Sequence, residues 1–187
     1  MIVLCIAGRA GSGKDTMAKI LDEILTEQYR KRVLVAHYAD LVKYVCKTFF
    51  DWDGIKDEEG RTLLQHIGTD VVRKRDEDYW VRFLADMLNF FPDKWDFIFL
   101  PDFRFPNEFF SFAKYLHPEA KVFSIKVCRD FPSTLTPEQQ AHASETALNN
   151  FNFDYYIDNN GTYEDLYKQM FNAFAPMLIN ILKKDFN

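Results

Sequence analysis

A glycine-rich stretch near the N-terminus holds the residues best suited to chemistry. Residues 8–16 read GRAGSGKDT and follow an apolar run at 2–6, so Gly8, Gly13 and Lys14 stand at the spacing G-x-x-x-x-G-K. In such a loop the backbone N–H groups face phosphate, the Lys reaches the β and γ oxygens, and a helix N-terminus lies behind them. The pattern therefore predicts a nucleotide site. Its expected members are Gly8, Gly11, Ser12, Gly13, Lys14, Asp15 and Thr16.

Asp15 is the irregular residue of this loop, because a Ser or Thr usually supplies a hydroxyl to Mg²⁺ at that position. A carboxylate in the first turn suits the helix dipole, but beside a triphosphate it is repelled unless a cation lies between them. We therefore expect Mg²⁺ in the site. Asp15 or the hydroxyl of Thr16 is predicted to hold the metal, directly or through water.

A second group of charged residues follows the apolar run at 96–100. Asp102 and Arg104 stand there with Phe103 between them, and ligands bind outside the carboxyl ends of the strands in open α/β sheets. Asp102 occupies the place from which loops of this class recruit another Mg²⁺ ligand. Arg104 could contact a transferred phosphoryl group, since Arg is always charged and binds phosphate in a bidentate manner. A surface ion pair is the alternative interpretation.

Polar residues of a long helical stretch form a third group. Leu64, Ile67 and Val71 recur at helical spacing and build an inner face. The polar residues between them lie on other sides, where they face a ligand or solvent. Lys43 is a further candidate for an anion contact, although a solvated Lys is the ordinary outcome. The candidates for substrate binding are Lys43, Arg61, Gln65, Thr69 and Arg73.

Five short apolar runs are predicted to be the strands that position these groups. They are residues 2–6, 33–38, 96–100, 121–127 and 154–157. Their alternation with helical periodicities predicts an α/β fold with a mainly parallel sheet. A helical insertion at 40–92 interrupts the alternation, as does a segment at 130–145 that follows Arg129 and is expected to act as a mobile lid. No linker divides residues 1–187, so we expect a single domain.

Helical stripes of apolar residues are expected to be core. The first comprises Trp80, Phe83, Leu84, Met87, Leu88 and Phe91, and the second comprises Phe109, Phe112, Ala113 and Leu116. The last helix is predicted to begin at Thr162, with Asp165 as its capping partner, and to kink at Pro176.

Composition narrows the class of function. A net charge of −5 and a pI near 5.4 argue against a nucleic-acid polymer as partner. Cys5, Cys46 and Cys128 lack the spacing of a disulfide framework or a zinc site, and Cys5 is expected to be a buried apolar residue. No signal peptide and no run of membrane-spanning length is found, so we expect a cytoplasmic protein without membrane contact.

Four ordered blocks together resemble the deoxynucleoside monophosphate kinases of tailed phages and bacteria. They are the loop at 8–16, the helix at 61–70 (R-x-L-x-Q-x-x-G-T-D) leading to Tyr79-Trp80, the strand end at 101–104, and the segment from Ser144-Glu145 to Asn159-Gly161. The resemblance spans nearly the whole chain, and the ordered set is more specific than the loop, which many NTPases share. Animal-type phosphomevalonate kinase is similar in the same blocks and is the alternative.

The resemblance implies a P-loop kinase fold: a five-stranded parallel sheet flanked by helices, a helical region that binds the nucleoside monophosphate, and a lid. It also implies ATP with Mg²⁺ as donor, a (deoxy)nucleoside monophosphate as acceptor, and a homodimer. By matching position, Lys14 and the loop hold ATP, while Asp102 and Arg104 sit at the reaction centre. On the acceptor side it implies Arg61, Gln65 and Arg73. Phe103 departs from the usual threonine of the family, which alters the local hydrogen bonding.

The implied reaction needs no general base, since the second pKa of a phosphomonoester is about 6 and the attacking oxygen is already ionised. Positioning and charge neutralisation by Lys14, Mg²⁺, Arg104 and Arg129 would carry catalysis. The four histidines are accordingly expected to be structural or surface residues, although His142 could help close the lid. They are His37, His66, His117 and His142.

Other classes of nucleotide-binding protein fit the sequence less well. A GTPase would carry an Asn-Lys-x-Asp segment, and the sequence has none. A motor ATPase would carry adjacent acids after an apolar strand, whereas Phe103 follows Asp102. A protein that binds nucleotide without turnover remains an open alternative.

Overall fold

The structure is a computed structural model that describes residues 1–132 and 135–184. Its strands are β1 (Ile2–Ala7), β2 (Val33–Val35), β3 (Phe97–Leu100), β4 (Lys121–Cys128) and β5 (Tyr155–Asp158). Its α-helices are α1 (Lys14–Glu27), α2 (Ala39–Phe49), α3 (Glu58–Gln65), α4 (Tyr79–Asn89), α5 (Asn107–Tyr115), α6 (Pro137–Ala141), α7 (Ala143–Thr146), α8 (Tyr163–Gln169) and α9 (Ala175–Lys183). Two π-helical segments, π1 (His66–Arg73) and π2 (Met170–Phe174), continue α3 and α8.

The five strands form one parallel sheet in the order β2-β3-β1-β4-β5. β1 lies at its centre and all six of its residues are buried, as expected for a strand covered on both faces. The predicted α/β fold and parallel sheet are confirmed. β2 is shorter than predicted. The backbone N–H of His37 donates to the carboxylate of Asp40 and that of Tyr38 to the carboxylate of Asp102, so neither group pairs with β3.

The sheet brings the chemically important loops to one edge. β1, β3 and β4 run in parallel and in register, with Ile2 opposite both Phe97 and Lys121. Their carboxyl ends therefore meet, and the segments that follow them carry the glycine-rich loop, Asp102 with Arg104, and Arg129. Behind the loop, α1 buries one face, whose apolar residues recur at helical spacing. The buried apolar residues are Met17, Ala18, Ile20, Leu21, Ile24 and Leu25.

The predicted helical insertion is present over residues 39–89, where α2, α3, π1 and α4 follow one another without a strand. It has a small apolar core of its own, made by Val42, Cys46, Ile67 and Trp80. Trp80 also donates a hydrogen bond from Nε1 to the carbonyl of Gly68 at 2.9 Å. The insertion is thus held as a packed layer beside the sheet edge.

The α4 stripe is partly wrong as a prediction of core. Phe83, Met87 and Phe91 are 44%, 43% and 51% exposed. The buried face of α4 is rotated relative to the stripe, because the helix packs on α2 and α5 through Trp80, Val81, Ala85 and Leu88. In the second stripe, Phe112 and Leu116 are buried as predicted, but Ala113 is exposed.

The C-terminal helical region begins as predicted. Thr162 and Asp165 form a reciprocal capping box, with the Thr162 hydroxyl accepting from the Asp165 N–H at 3.2 Å. π2 ends shortly before Pro176, which stands in the first turn of α9. Pro176 has no backbone N–H to donate, and the π-helical turn before it replaces the usual α-helical hydrogen bonds with wider ones. Over the described ranges, no helix has the length and apolar character needed to cross a membrane.

Candidate active site

The glycine-rich loop has the backbone shape that its glycines predict. Gly13 has φ 95° and caps the N-terminus of α1. Other residues rarely adopt that left-handed conformation. A Cβ at this position would also overlap the side-chain nitrogen of Asn159. Gly8 is equally constrained, since a Cβ there would overlap the Ser12 hydroxyl and the carbonyl of Val127.

Lys14 lies folded against this loop. Its Nζ donates hydrogen bonds to the carbonyl oxygens of Gly8 at 2.8 Å and Arg9 at 3.0 Å. Burial, together with the positive charge of Arg104, lowers the pKa of Lys14 to about 8. Within the described part of the chain, the Ser12 hydroxyl is buried without a hydrogen-bond partner. The cation of Lys14 at this loop fits an anionic ligand.

Asn159 braces the loop from β5 and was missed by the sequence analysis as a site residue. Its buried side chain donates from Nδ2 to the carbonyl of Ser12 at 2.8 Å. Its own backbone N–H donates to the carbonyl of Cys128 at 2.8 Å. Only its position in the sequence could have identified Asn159 as a site residue, since it directly follows a strand that ends at the same edge of the sheet.

Asp15 has a histidine partner that sequence spacing does not reveal. His37 Nε2 lies 3.3 Å from Asp15 Oδ1, and His37 Nδ1 lies 3.4 Å from Asp40 Oδ2. The hydrogen bond with His37 lowers the pKa of Asp15, and the same contact raises the pKa of His37. His37 therefore lines the site, although the sequence analysis treated it as a structural or surface residue.

Asp102 and Arg104 lie at the predicted edge with partners of their own. The two carboxylate oxygens of Asp102 accept the N–H groups of Tyr38 at 3.0 Å and Ala39 at 2.9 Å, at the start of α2. Arg104 forms an ion pair with Glu145 of α7. Phe103 points into the core, where its ring packs 5.2 Å from that of Phe151. The altered residue of this strand end thus serves packing.

The carboxylates present fit Mg²⁺ only together with a phosphate ligand. Over the described residues, no group of three or more His, Cys, Asp or Glu could hold a metal by itself. Mg²⁺ commonly uses one or two carboxylates, substrate phosphates and water, and Asp15, which is 79% exposed, and Asp102 both line the pocket. Thr16 is exposed and is not among the lining residues. The choice between Asp15, Thr16 and Asp102 remains a prediction.

A pocket of about 480 Å³ collects most of the predicted residues. Those that line it are Gly11, Lys14, Asp15, Lys43, Arg61, Gln65, Thr69, Arg73, Asp102 and Arg104. Gly8, Ser12 and Gly13 belong to the loop but do not line the pocket, and Arg129 is exposed at the end of β4 outside it. Lining residues that the sequence analysis did not propose include His37, Lys56 and Glu108.

The acceptor-side candidates differ in how free their side chains are. Lys43 donates to Asp40 at 2.7 Å, and Arg61 donates from Nε to the carbonyl of Lys56 at 2.9 Å. Gln65 donates to the Ser144 hydroxyl at 3.5 Å. The side chain of Arg73 is enclosed and only 9% exposed.

The predicted lid contributes a wall of the same pocket. Ser133 and Thr134 of this segment lie outside the described residues, whereas α6 and α7 are described. Ser144 and Glu145 line the pocket, and His142 joins them through its Nδ1, 2.9 Å from the Ser144 hydroxyl. Movement of the segment remains a prediction.

Comparisons with known proteins agree with this geometry. The sequence model of a family described as deoxynucleotide monophosphate kinase matches residues 54–170. That range begins after the glycine-rich loop, so the match depends on the insertion, the β3 end and the C-terminal blocks. No curated protein sequence matches the chain.

Solved structures show the same fold at low identity. The Mycobacterium tuberculosis APS kinase CysC, in a complex with AMPPNP and APS, is 14% identical over 91% of this chain and 95% of that chain, with a TM-score of 0.53. A sugar kinase from Janibacter is 16% identical over 95% of this chain and 96% of that chain, with a TM-score of 0.52. These similarities confirm the predicted P-loop kinase fold.

Proposed function

Since the chain belongs to the deoxynucleotide monophosphate kinase family, we propose that it transfers the γ-phosphoryl group of ATP to a deoxynucleoside monophosphate. The products are ADP and the deoxynucleoside diphosphate. One observation carries the proposal: Lys14 of the phosphate loop and Arg61 of the helical insertion line the same pocket of about 480 Å³. A kinase with two phosphorylated substrates needs both anions in one enclosed space.

The donor side rests on the loop. The backbone N–H groups at the start of α1 and Lys14, which lines the pocket, are the donors for the β- and γ-phosphates. Lys14 would exchange its contacts with the carbonyls of Gly8 and Arg9 for phosphate oxygens. Its pKa of about 8 in this chain rises when an anion binds beside it, which favours the charged form during the reaction.

The acceptor side rests on the insertion. Lys43, Lys56 and Arg61 supply positive charge, while Val42, Leu64 and Trp80 supply apolar surface against which a base can pack. Small-molecule sites commonly combine such surface with a few placed polar groups. The acceptor phosphate needs no general base, since its second pKa of about 6 leaves it ionised at neutral pH.

Catalysis in this proposal is positioning and charge neutralisation. The guanidinium of Arg104 would exchange its ion pair with Glu145 for hydrogen bonds to the transferred phosphoryl group, because a bidentate guanidinium matches phosphate oxygens. Asp15 and Asp102 are the residues that would hold Mg²⁺, which when bound neutralises charge on the β- and γ-phosphates. Arg129 enters only if the segment after β4 moves toward the pocket. The homodimer and the cytoplasmic location remain predictions.

An acceptor panel tests the proposal. The full chain is given ATP and Mg²⁺ with each deoxyribonucleoside monophosphate, each ribonucleoside monophosphate, phosphomevalonate or no acceptor, and ADP formation is followed. We expect ADP only when a nucleoside monophosphate is present, and strongest with a deoxyribonucleotide. Turnover with phosphomevalonate alone would support the alternative kinase, and absence of turnover with all acceptors would support a binding protein. Lys14→Ala serves as the inactive control.

A further inference from the structure

The side chain of Arg73 is engaged by other side chains of the protein. Its guanidinium carbon lies 3.8 Å from the centroid of the Phe105 ring, and its Nη1 donates to Glu108 Oε1 at 3.4 Å. Its Nη2 donates to Asn107 Oδ1. Three contacts, from Phe105 just before α5 and from Asn107 and Glu108 in its first turn, therefore surround a side chain that is 9% exposed. A ligand phosphate would have to displace them to reach Arg73.

The other carboxylate oxygen of Glu108 contacts the backbone that carries Arg104. Glu108 Oε2 accepts the backbone N–H of Arg104 at 2.6 Å and that of Phe105 at 3.0 Å. Its side chain is 6% exposed. A single buried carboxylate thus contacts Arg73, at the end of π1, and the backbone of Arg104, after β3.

A second contact joins the same two segments. The side-chain amide of Asn107 donates from Nδ2 to the carbonyl of Glu77 at 2.8 Å and to Asp78 Oδ1 at 2.7 Å. Asp78 in turn accepts from the Tyr115 hydroxyl at 2.9 Å, at the far end of α5. Polar contacts near both ends of α5 therefore connect it to residues 73–78 of the insertion.

Such a pair is an unusual choice for stability alone. A buried ion pair is often no more stabilising than apolar residues of similar volume, because both charges lose their hydration. Burial raises the pKa of Glu108 to about 7, against the opposing effect of the Arg73 charge and the two backbone N–H donors. The cost of burying these charges points to a need for their fixed geometry.

We propose that Arg73 and Glu108 form a buried latch, in which they are positioning residues that fix the backbone carrying Arg104 relative to the helical insertion. Their effect on the reaction is exerted through Arg104, which would contact the transferred phosphoryl group, and neither residue binds substrate. This inference rests on the proposed kinase activity.

Kinetics of three variants test the latch: Arg73→Met, Glu108→Ala and the double variant. A misplacement of about 1 Å can cost about 100-fold in rate, so each single variant is expected to lower kcat by about that factor. The KM values for ATP and for the acceptor should stay within about threefold. The double variant should lose little more than either single variant, because the two residues act as one unit.

Two results would overturn the latch. A raised acceptor KM with kcat retained would make Arg73 a substrate ligand, and losses in kcat that multiply in the double variant would make the two roles separate. Arg82→Met is the matched control, since Arg82 pairs with Asp76 in the same insertion but does not line the pocket. A kcat loss of the same size in this control would reduce the latch to general stability of the insertion.

Amide hydrogen exchange tests the latch without turnover. Glu108→Ala should lower the protection of the Arg104 and Phe105 amides by about tenfold or more, and Arg82→Met should not. Unchanged protection would overturn the contact itself. If the wild-type chain shows no acceptor-dependent turnover, the proposed function fails, and this measurement still decides whether the latch exists.

Discussion

The contact between Gly13 and Asn159 makes a strong claim about how the phosphate loop keeps its shape. Asn159 holds the carbonyl of Ser12 at 2.8 Å, and its Nδ2 occupies the space that a Cβ at residue 13 would need. We therefore consider three variants, Gly13→Ala, Asn159→Ala and the double variant. The single changes act on the same contact from its two sides, so their effects on stability should be coupled.

The magnitudes follow from the geometry. At φ 95° a residue with a Cβ costs about 1–2 kcal/mol, and overlap with Asn159 adds to that cost in Gly13→Ala. Asn159→Ala leaves the Ser12 carbonyl without its side-chain donor and costs about 1–3 kcal/mol. The double variant removes the overlap, so its loss should be smaller than the sum of the two single losses by at least about 0.5 kcal/mol.

Urea unfolding measures these free energies, and ATP titration of the same variants measures the effect on the site. ATP affinity should fall about tenfold or more in Gly13→Ala, since the N–H groups that face phosphate are displaced. Asn180→Ala, at an exposed position on α9, is the control and should neither lower the free energy of unfolding nor change ATP affinity. Strictly additive free energies of unfolding would refute the contact between Gly13 and Asn159.

Three further predictions concern charged residues. Lys14→Ala or Arg104→Ala should lower kcat by about 100-fold or more with a smaller change in ATP affinity and folding, as steady-state kinetics and binding will show. Asp15→Ala should raise the Mg²⁺ concentration for half-maximal activity by about tenfold; an unchanged value would leave Asp15 as a helix-terminal partner of His37. Glu108 has a pKa of about 7 in the folded chain against 4.5 ordinarily, so the folded chain binds more protons between these values. Its contribution to the free energy of unfolding should therefore fall by up to about 3 kcal/mol as the pH rises through that window. Urea unfolding of wild type and Glu108→Gln at several pH values checks this. The free energy of unfolding of wild type should fall relative to that of the variant as the pH rises. A relative rise would show that the three hydrogen-bond donors to Glu108 outweigh its burial.

Features set by residues close together in sequence were predicted correctly. The glycine spacing predicted a loop whose shape needs φ values closed to other residues, and Gly13 has such a value. The apolar runs predicted all five strands, because buried strands of a parallel sheet read as continuous apolar segments. The capping pair at Thr162 was recognisable because its two members are three residues apart.

Contacts between segments far apart in sequence could not be predicted from the sequence. His37 and Asp15 are 22 residues apart in sequence, and Asn159 and Ser12 are 147 apart. Neither pair has a spacing that a helix or a turn would impose. Glu108 stands four residues after Arg104 in a stretch that reads as an ordinary helix start, and only its burial distinguishes it.

The orientation of α4 shows a second limit. Its apolar residues occupy more than one side, so periodicity alone does not say which side faces the protein. The structure buries Val81 and Ala85 and exposes Phe83 and Met87. Packing partners on α2 and α5 decide the rotation, and those partners are known only from the tertiary structure.

Transfer of labelled phosphate tests the central claim most directly. The chain is incubated with ATP labelled in its γ-phosphate, Mg²⁺ and the best deoxynucleoside monophosphate from the acceptor panel, and the products are separated. The account predicts that the label appears in the β-phosphate of the deoxynucleoside diphosphate, in an amount equal to the ADP formed. Label recovered as inorganic phosphate, with no labelled diphosphate, would contradict it.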